Sequence, residues 1–193
     1  MAWKDMFNNA MGAFSFKDLL NAAATGDHDF IKGYLQQWPD RINKQDFAMG
    51  RNALMHATIK GATDTMKLLL DKGASIRETD LSGYNVLHMA VVRGSLDKTA
   101  LLLGRADIAS ILNQKNPKSG MTALMYAALH PDDSAIVKRL LEKGADFKLT
   151  DYTGKTALSI AKEKGNAKTI ALLEQWAKGQ NLTERIKPKR YKF

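Results

Sequence analysis

The residues best suited to chemistry in this sequence are four histidines, His28, His56, His88 and His130. An imidazole can act as a general base or ligate zinc, but both uses need a carboxylate or further ligands at a defined spacing. His56 and His88 could meet on adjacent structural units, yet neither has a carboxylate at such a spacing. His130 precedes residues 131–133, Pro-Asp-Asp, a pattern more typical of a turn than of a metal site. We therefore predict neither a catalytic site nor a metal site.

Other catalytic patterns are also missing from the sequence. The chain has no cysteine, which excludes disulfides, thiolate zinc sites and cysteine nucleophiles. Its 14 glycines do not cluster into a phosphate-binding loop, and no serine lies in a Gly-x-Ser-x-Gly elbow. The sequence therefore predicts a protein that is not an enzyme and that needs no cofactor.

Composition and charge are those of a folded, basic protein. The 193 residues are 45% hydrophobic and carry a net charge of +9. No apolar run approaches the roughly 20 residues needed to cross a bilayer, and the N-terminal stretch, interrupted by Asp5 and Asn8, is unlike a secretory signal. We expect no membrane span and a cytoplasmic location. The alternative is delivery into a host cell as an effector.

Positive charge is concentrated at the C-terminal end of the chain. Residues 183–193 contain five lysines or arginines and one glutamate. Such a basic tail is often a solvated terminus, but it can also bind nucleic acid or another anionic surface. Nucleic-acid or anionic-surface binding through this tail is therefore the alternative function.

A repeated motif supplies the elements that would position any functional side chain. Four segments, residues 50–57, 83–90, 120–127 and 154–161, share the pattern Gly-x-[Asn/Thr]-[Ala/Val]-Leu-x-x-Ala. Each is followed by a second apolar stretch that contains a Leu-Leu pair. The opening glycines are 33, 37 and 34 residues apart. A period in this range indicates a stacked array of one supersecondary unit.

Each unit is predicted to form two helices followed by a loop. The first helix is predicted to begin after a residue whose side-chain oxygen can cap free backbone N–H groups, namely Asn52, Asn85, Thr122 and Thr156. Gly61, Gly94 and Gly165 are predicted to end that helix and to let the chain reverse. The second helix carries the leucine pair, and the polar stretch after it is predicted to form a hairpin loop.

This pattern resembles the ankyrin repeat. Residues 143–147, Lys-Gly-Ala-Asp-Phe, and residues 151–158 are similar to the family consensus, with Ala in place of the usual Pro. The resemblance covers about residues 16–180 and implies an all-α ankyrin-repeat solenoid of about five stacked helix-turn-helix units with hairpin finger loops. It also implies a protein-binding module without catalytic activity. His88, at the family's Thr-Pro-Leu-His position, would then make structural hydrogen bonds between repeats.

The resemblance also divides the chain into segments. We expect the repeat domain to span residues 16–182, with units at 16–47, 48–80, 81–116, 117–151 and 152–182. Residues 1–15, in which apolar side chains recur at helical spacing from Trp3 to Phe14, are predicted to form a capping helix. The alternatives are a partner-binding handle or an interfacial membrane helix. Residues 183–193 are the basic tail.

The longest repeat contains extra sequence near residues 105–113. Ile108, Ile111 and Leu112 are spaced to make one apolar helical turn. We interpret this insertion as a turn tucked back against the solenoid, because insertions in loops cost little free energy. The alternative is a displaced finger loop that changes the binding surface.

The resemblance further implies where a partner binds. Loop tips and the exposed side of each first helix make contacts in the family, and the matching positions here are Met49, Arg51, Lys60, Leu81, Tyr84, Arg93, Lys118, Met121, Tyr152, Lys155 and Lys164. This mixture of aromatic, apolar and basic residues is typical of protein interfaces. It predicts a partner protein with an acidic surface, bound through the concave face and the fingers. We expect the protein alone to be monomeric.

Overall fold

The computed structural model of the protein describes residues 14–130 and 134–186, and within these ranges every regular element is a helix. The α-helices are α1 Phe16–Thr25, α2 His28–Gln37, α3 Ala53–Ile59, α4 Thr63–Asp71, α5 Val86–Val92, α6 Leu96–Leu103, α7 Ala109–Leu112, α8 Ala123–Ala128, α9 Ser134–Glu142, α10 Ala157–Lys164 and α11 Ala167–Ile186. A short 3₁₀ helix, Pro39–Asn43, follows α2. The predicted all-α fold is confirmed.

Five helix pairs stack in the order of the sequence. The first helices of the pairs, α1, α3, α5, α8 and α10, form one layer in which each helix contacts the next. The second helices α4, α6, α9 and α11 form another layer in the same way, and the two helices of each pair also contact each other. This arrangement is the predicted solenoid of helix-turn-helix units.

The first helices after α1 begin where the sequence predicts, because a polar side chain caps each of them. The side chains of Asn52, Asn85, Thr122 and Thr156 each accept a hydrogen bond from the backbone N–H three residues later. A capping contact of this kind contributes roughly 1 kcal/mol of stability. Local chemistry therefore fixes the start of each first helix after α1.

The turns between paired helices need glycine for two different reasons. Gly94 and Gly165 have φ angles of 63° and 70°, a conformation that favours glycine and that fits their predicted role as helix ends. Gly61 has no positive φ angle. Instead, a Cβ atom at this position would lie 2.5 Å from the carbonyl oxygen of Ala23. Glycine at position 61 therefore allows the turn after α3 to approach α1.

The apolar faces of the two helix layers form one continuous core. In the second layer, the side chains of Leu69, Leu102, Leu140 and Leu173 are all fully buried or nearly so. Burial of a leucine side chain contributes roughly 1.5–3 kcal/mol. Stability is therefore distributed along the array, and no single unit contains the whole core.

The extra sequence in the third unit packs inward as predicted. Ile111 and Leu112 of helix α7 are buried, and so is Ile108, which directly precedes the helix. At the start of the insertion, Arg105 forms an ion pair with Asp107 at 2.8 Å. This short helix is part of the packed body and does not project as a displaced finger.

Some predictions fall outside the described residues. The proposed capping helix lies there except for Phe14 and Ser15, as do the turn at 131–133 and residues 187–193 of the basic tail. Helix α11 runs to Ile186, past residue 182, after which the tail is predicted to begin. Among the helices that the structure describes, none has both the length and the apolar character to cross a bilayer.

Candidate binding surface

Four loops link the successive helix pairs, and we call them the first finger (residues 46–50), second finger (80–83), third finger (116–120) and fourth finger (151–154). Each finger begins with Asp46, Asp80, Asn116 or Asp151, whose side-chain oxygen accepts hydrogen bonds from backbone N–H groups two to four residues later. These side chains hold tight turns. Their hydrogen-bonding capacity is largely used within the fold.

The pKa values of two finger carboxyls reflect this use. Burial alone would raise the pKa of Asp46, but hydrogen bonds from the backbone of Met49 and from His56 lower the pKa overall. Burial would also raise the pKa of Asp151, but hydrogen bonds from the backbone of Lys155 and from Thr153 lower the pKa overall. Both carboxylates are therefore ionised when they hold their turns at neutral pH.

In the second, third and fourth fingers, the residue after the Asp or Asn packs against the preceding finger. The contacts are Leu81 on Gly50, Pro117 on Gly83 and Tyr152 on Gly120, and a Cβ on each glycine would lie 2.6 to 3.0 Å from its neighbour. The backbone N–H of Leu81 also donates to the carbonyl of Met49 at 2.9 Å, and that of Tyr152 donates to Ser119 at 3.2 Å. The fingers therefore form a row in fixed register.

Polar side chains add further links between fingers. Gln45 Nε2 donates to the Thr79 carbonyl at 2.8 Å, and Lys115 Nζ donates to the Thr150 carbonyl at 2.5 Å. Asn116 Nδ2 donates to a carbonyl of the second finger at 3.0 Å. These three residues were not among the predicted site residues. The signal available for them was their position at or next to the Asp or Asn that begins each finger.

Eight of the eleven predicted partner-binding residues have exposed side chains. They are Met49, Lys60, Leu81, Arg93, Lys118, Tyr152, Lys155 and Lys164. The apolar members are exposed to an unusual degree, with 62% of Leu81 and 64% of Tyr152 accessible to solvent. These side chains lie on the fingers and at the ends of the first helices.

The other three predicted residues are half-buried and have structural contacts. Arg51 Nε and Nη2 each lie 3.2 Å from Asp80 Oδ2, and the side chain of Asp80 is fully buried. The Tyr84 ring packs 5.3 Å from the ring of Tyr126, and Met121 packs against the core. The charge of Arg51 is therefore used to hold the second finger.

His56 of α3 and His28 of α2 also serve the fold. His56 Nε2 lies 3.2 Å from Asp46 Oδ2, so His56 does have a carboxylate partner, which the sequence did not suggest. His28 Nε2 lies 3.0 Å from the hydroxyl of Thr65 and links the first two units. In the part of the chain that the structure describes, no group of three potential ligands could hold a metal ion.

His88 is buried and uncharged at neutral pH. Burial lowers its pKa to about 4, although the backbone of Gln114 and Met121 and the carboxylate of Asp80 favour the protonated form. Its Nδ1 accepts from the backbone N–H of Asn85 at 3.3 Å, a contact within its own unit. Its Nε2 has no hydrogen-bond partner among the described residues.

Unpaired charge on this surface is positive. The pairing of Lys155 with Glu163 raises the pKa of the lysine and lowers that of the glutamate, and this exposed pair is locally neutral. Within residues 14–130 and 134–186, the exposed side chains of Lys60, Arg93 and Lys118 form no ion pair, and neither does that of Lys164. The finger carboxylates are used in turns and do not compensate them.

One exposed aromatic residue was missing from the predicted set. Phe47 lies at the tip of the first finger with 99% of its side chain accessible to solvent. It occupies the same place after Asp46 that Leu81, Pro117 and Tyr152 occupy in the later fingers. That equivalence was the sequence signal for Phe47.

Comparison with known proteins gives consistent matches along the chain. A family model for ankyrin repeats in three copies matches residues 19–112 and 107–185. A Rickettsia bellii protein named for its ankyrin repeats is 35% identical over 133 residues, which is 68% of this chain and 71% of that protein. Mouse Ankyrin repeat and SOCS box protein 6 is 28% identical over 185 residues, 89% of this chain and 43% of that protein.

An enzyme also appears among the relatives. The L-asparaginase of Dirofilaria immitis is 28% identical over 155 residues, which cover 80% of this chain but 25% of that enzyme. The chain spans less than half the length of this enzyme and of the mouse protein. Their activities and assemblies are therefore properties of longer proteins.

Proposed function

Because the chain belongs to the ankyrin-repeat family, whose members are generally protein–protein interaction modules, we propose that it binds a partner protein through its concave face and finger loops. The binding surface consists of the four fingers and the exposed ends of the first helices. The protein carries out no reaction of its own. Its role is to hold a partner in a defined orientation.

The observation that carries this proposal is the row of exposed apolar side chains on rigid fingers. Phe47, Leu81 and Tyr152 are 99%, 62% and 64% exposed, respectively, and each lies on a loop fixed by its own Asp turn. Exposed apolar groups in such a row favour a protein interface. The preformed loops reduce the conformational entropy that binding costs.

The charge of the surface favours an acidic partner. Lys118 on the third finger and Lys60, Arg93 and Lys164 at the ends of first helices are exposed and form no ion pair among the described residues. Unpaired cations around apolar contacts steer an acidic protein into place and disfavour basic ones. Met49, Leu81 and Tyr152 supply apolar contacts, Lys155 adds a rim contact, and Arg51, Tyr84 and Met121 support the surface from below.

The absence of cysteine is compatible with binding in a reducing compartment. We propose that the complex forms in the cytoplasm. The alternative location is the interior of a host cell, which is also a reducing compartment.

The test starts with capture of partners from a cell lysate by the full chain, followed by mass spectrometry and titration of the identified protein. Arg93→Glu combined with Lys118→Glu should weaken its binding about tenfold or more and reduce the salt dependence of association. The matched control is Lys67→Glu with Lys143→Glu, two exposed lysines at the second helices. This control makes the same change in net charge and should bind like the unmodified protein.

Equal losses in the two double variants would contradict the proposal, because binding would then follow net charge and not this surface. Capture that is abolished by truncation of residues 187–193 would favour the alternative function, in which the basic tail binds nucleic acid or an anionic surface.

A further inference from the structure

Three successive fingers place an apolar side chain at the same position. Leu81, Pro117 and Tyr152 each directly follow the Asp or Asn that begins their finger, and each packs on the glycine of the finger before it. All three are nevertheless exposed to solvent. Because their contacts are equivalent, these side chains form a row along the fingers, which we call the apolar row. A partner segment that follows the row meets one apolar side chain per repeat.

The spacing of the apolar row follows from the stacking of the helices behind it. The second, third and fourth fingers precede α5, α8 and α10, which contact one another in that order. The fingers are also joined directly, for example by the hydrogen bond from the Tyr152 N–H to the Ser119 carbonyl at 3.2 Å. Because packed helices lie about 8–10 Å apart, we expect the members of the row at intervals of about the same length.

The backbone N–H groups of these three fingers, all of which the structure describes, are already used. Every N–H of residues 80–83 and 151–154 donates a hydrogen bond within the protein, and so does every N–H of residues 116–120. An added β-strand needs free backbone donors at the edge that it joins. Its side chains would also recur on one face at about 6.6 Å, shorter than the interval of the row. A segment bound here is therefore recognised through its side chains.

Two other regular conformations come close to the interval of the row. In a polyproline II helix every third side chain lies on the same face, and three residues rise about 9.3 Å. In an α-helix the nearest match is every seventh side chain, but seven residues rise about 10.5 Å and drift by about 20°. The polyproline II repeat lies inside the expected interval of about 8–10 Å, whereas the α-helical repeat exceeds it at every step. The row therefore favours a polyproline II segment.

Charge at the middle of the row favours an acidic segment. Lys118 of the third finger is exposed and forms no ion pair within residues 14–130 and 134–186. The cations at the two ends of the row are compensated, because Arg51 pairs with Asp80 and Lys155 pairs with Glu163. An acidic side chain of the segment is therefore stabilised best at the middle finger.

We propose that the apolar row binds a polyproline II segment of the partner protein, with an apolar residue at every third position and an acid beside the middle one. The apolar side chains contact Leu81, Pro117 and Tyr152 in turn, and the acid lies near Lys118. An exposed tyrosine suits such a segment, because polyproline II ligands dock against aromatic side chains. This inference rests on the proposed function and specifies the partner segment that fits it.

The direct test uses defined seven-residue peptides and the full chain. The matched probe is Ile-Pro-Asp-Ile-Pro-Asp-Ile with blocked ends, in which isoleucine recurs at every third position and the prolines favour polyproline II. Titration followed by amide chemical shifts should give a saturable change at Leu81, Lys118 and Tyr152. Leu81→Ala and Tyr152→Ala should each weaken binding of this probe about tenfold.

Matched controls separate the effects of spacing, charge and general stickiness. The peptide Ile-Pro-Ile-Asp-Pro-Asp-Ile has the same composition without the regular spacing, and it should bind about tenfold more weakly. The matched probe with Asn in place of both Asp residues should also bind more weakly, but in Lys118→Gln the Asp and Asn probes should bind equally. Leu96→Ala removes an exposed apolar side chain outside the fingers and should leave the affinity unchanged.

Equal affinity of the two isoleucine spacings, or no saturable shift along the row, would overturn the proposal. Tighter binding of a helical peptide with isoleucine at every seventh position would also overturn it. Titration of the captured partner separates this proposal from the proposed function. If its binding needs Arg93 and Lys118 but is unchanged in Leu81→Ala and in Tyr152→Ala, the proposed function stands and the segment proposal is wrong. If none of these substitutions affects the partner, both proposals are wrong.

Discussion

Lowering the pH should destabilise this protein through His88. The side chain is fully buried, and burial lowers its pKa to about 4, whereas an unfolded chain has a histidine pKa of about 6.5. Between these two values the unfolded state binds a proton at His88 and the folded state does not. The free energy of unfolding therefore falls as the pH drops through this window. The expected loss from pH 7 to pH 4 is about 3 kcal/mol.

Urea unfolding followed by circular dichroism measures this effect in the unmodified chain and in His88→Gln. Glutamine keeps an oxygen that can accept the hydrogen bond from the Asn85 backbone, so the variant should fold. It should be less stable at neutral pH but should lose less stability on acidification. The lowered pKa values of Asp46, Asp107 and Asp151 also cause stability to be lost in acid, but they do so in both proteins.

The difference between the two pH profiles therefore isolates the contribution of His88. Parallel profiles would refute the reasoning. They would mean that the folded protein accepts a proton on His88 as readily as the unfolded chain does, and hence that Nε2 finds an acceptor on protonation.

Two further predictions concern stability measured by chemical denaturation. Leu69→Ala and Leu140→Ala should each lower the free energy of unfolding by about 2–5 kcal/mol, because both side chains are fully buried and truncation leaves a cavity. Losses below about 1 kcal/mol at both sites would show that the core lies elsewhere. Arg51→Ala should cost about 2–3 kcal/mol because it leaves the buried carboxylate of Asp80 without its cation, and Arg51→Lys should restore part of this loss. An unchanged midpoint in Arg51→Ala would show that Asp80 does not need the arginine.

Local chemistry explains why so much of the fold could be predicted. A cap such as Asn52 acts on an N–H three residues away, and the buried leucines recur with the period of the repeat. Gly61 was predicted as a helix end, but its main constraint is contact with Ala23 in another unit. Contacts of that kind depend on how helices stack. They cannot be read from the residues on either side of the glycine.

The candidate site was harder to predict because its roles are set between fingers. Arg51 was predicted as a partner contact, yet the structure pairs it with Asp80, 29 residues away in the sequence. Phe47 was not predicted, because its distance from the opening glycine of its unit differs from that of Leu81. Phe47 lies three residues before Gly50, whereas Leu81 lies two residues before Gly83. Counting forward from the Asp or Asn that begins each finger places Phe47 and Leu81 at the same position.

The same turn residues determine both the rigidity of the fingers and the sign of the surface charge. Asp46, Asp80 and Asp151 direct their oxygens toward backbone N–H groups, and Asp80 also pairs with Arg51, so their negative charge is used largely to hold the loops. In the third finger Asn116 makes the same turn without any charge, next to the exposed cation of Lys118. The third finger therefore carries positive charge with no acid of its own. If the proposed function holds, we expect an acidic side chain of the partner to bind at this finger.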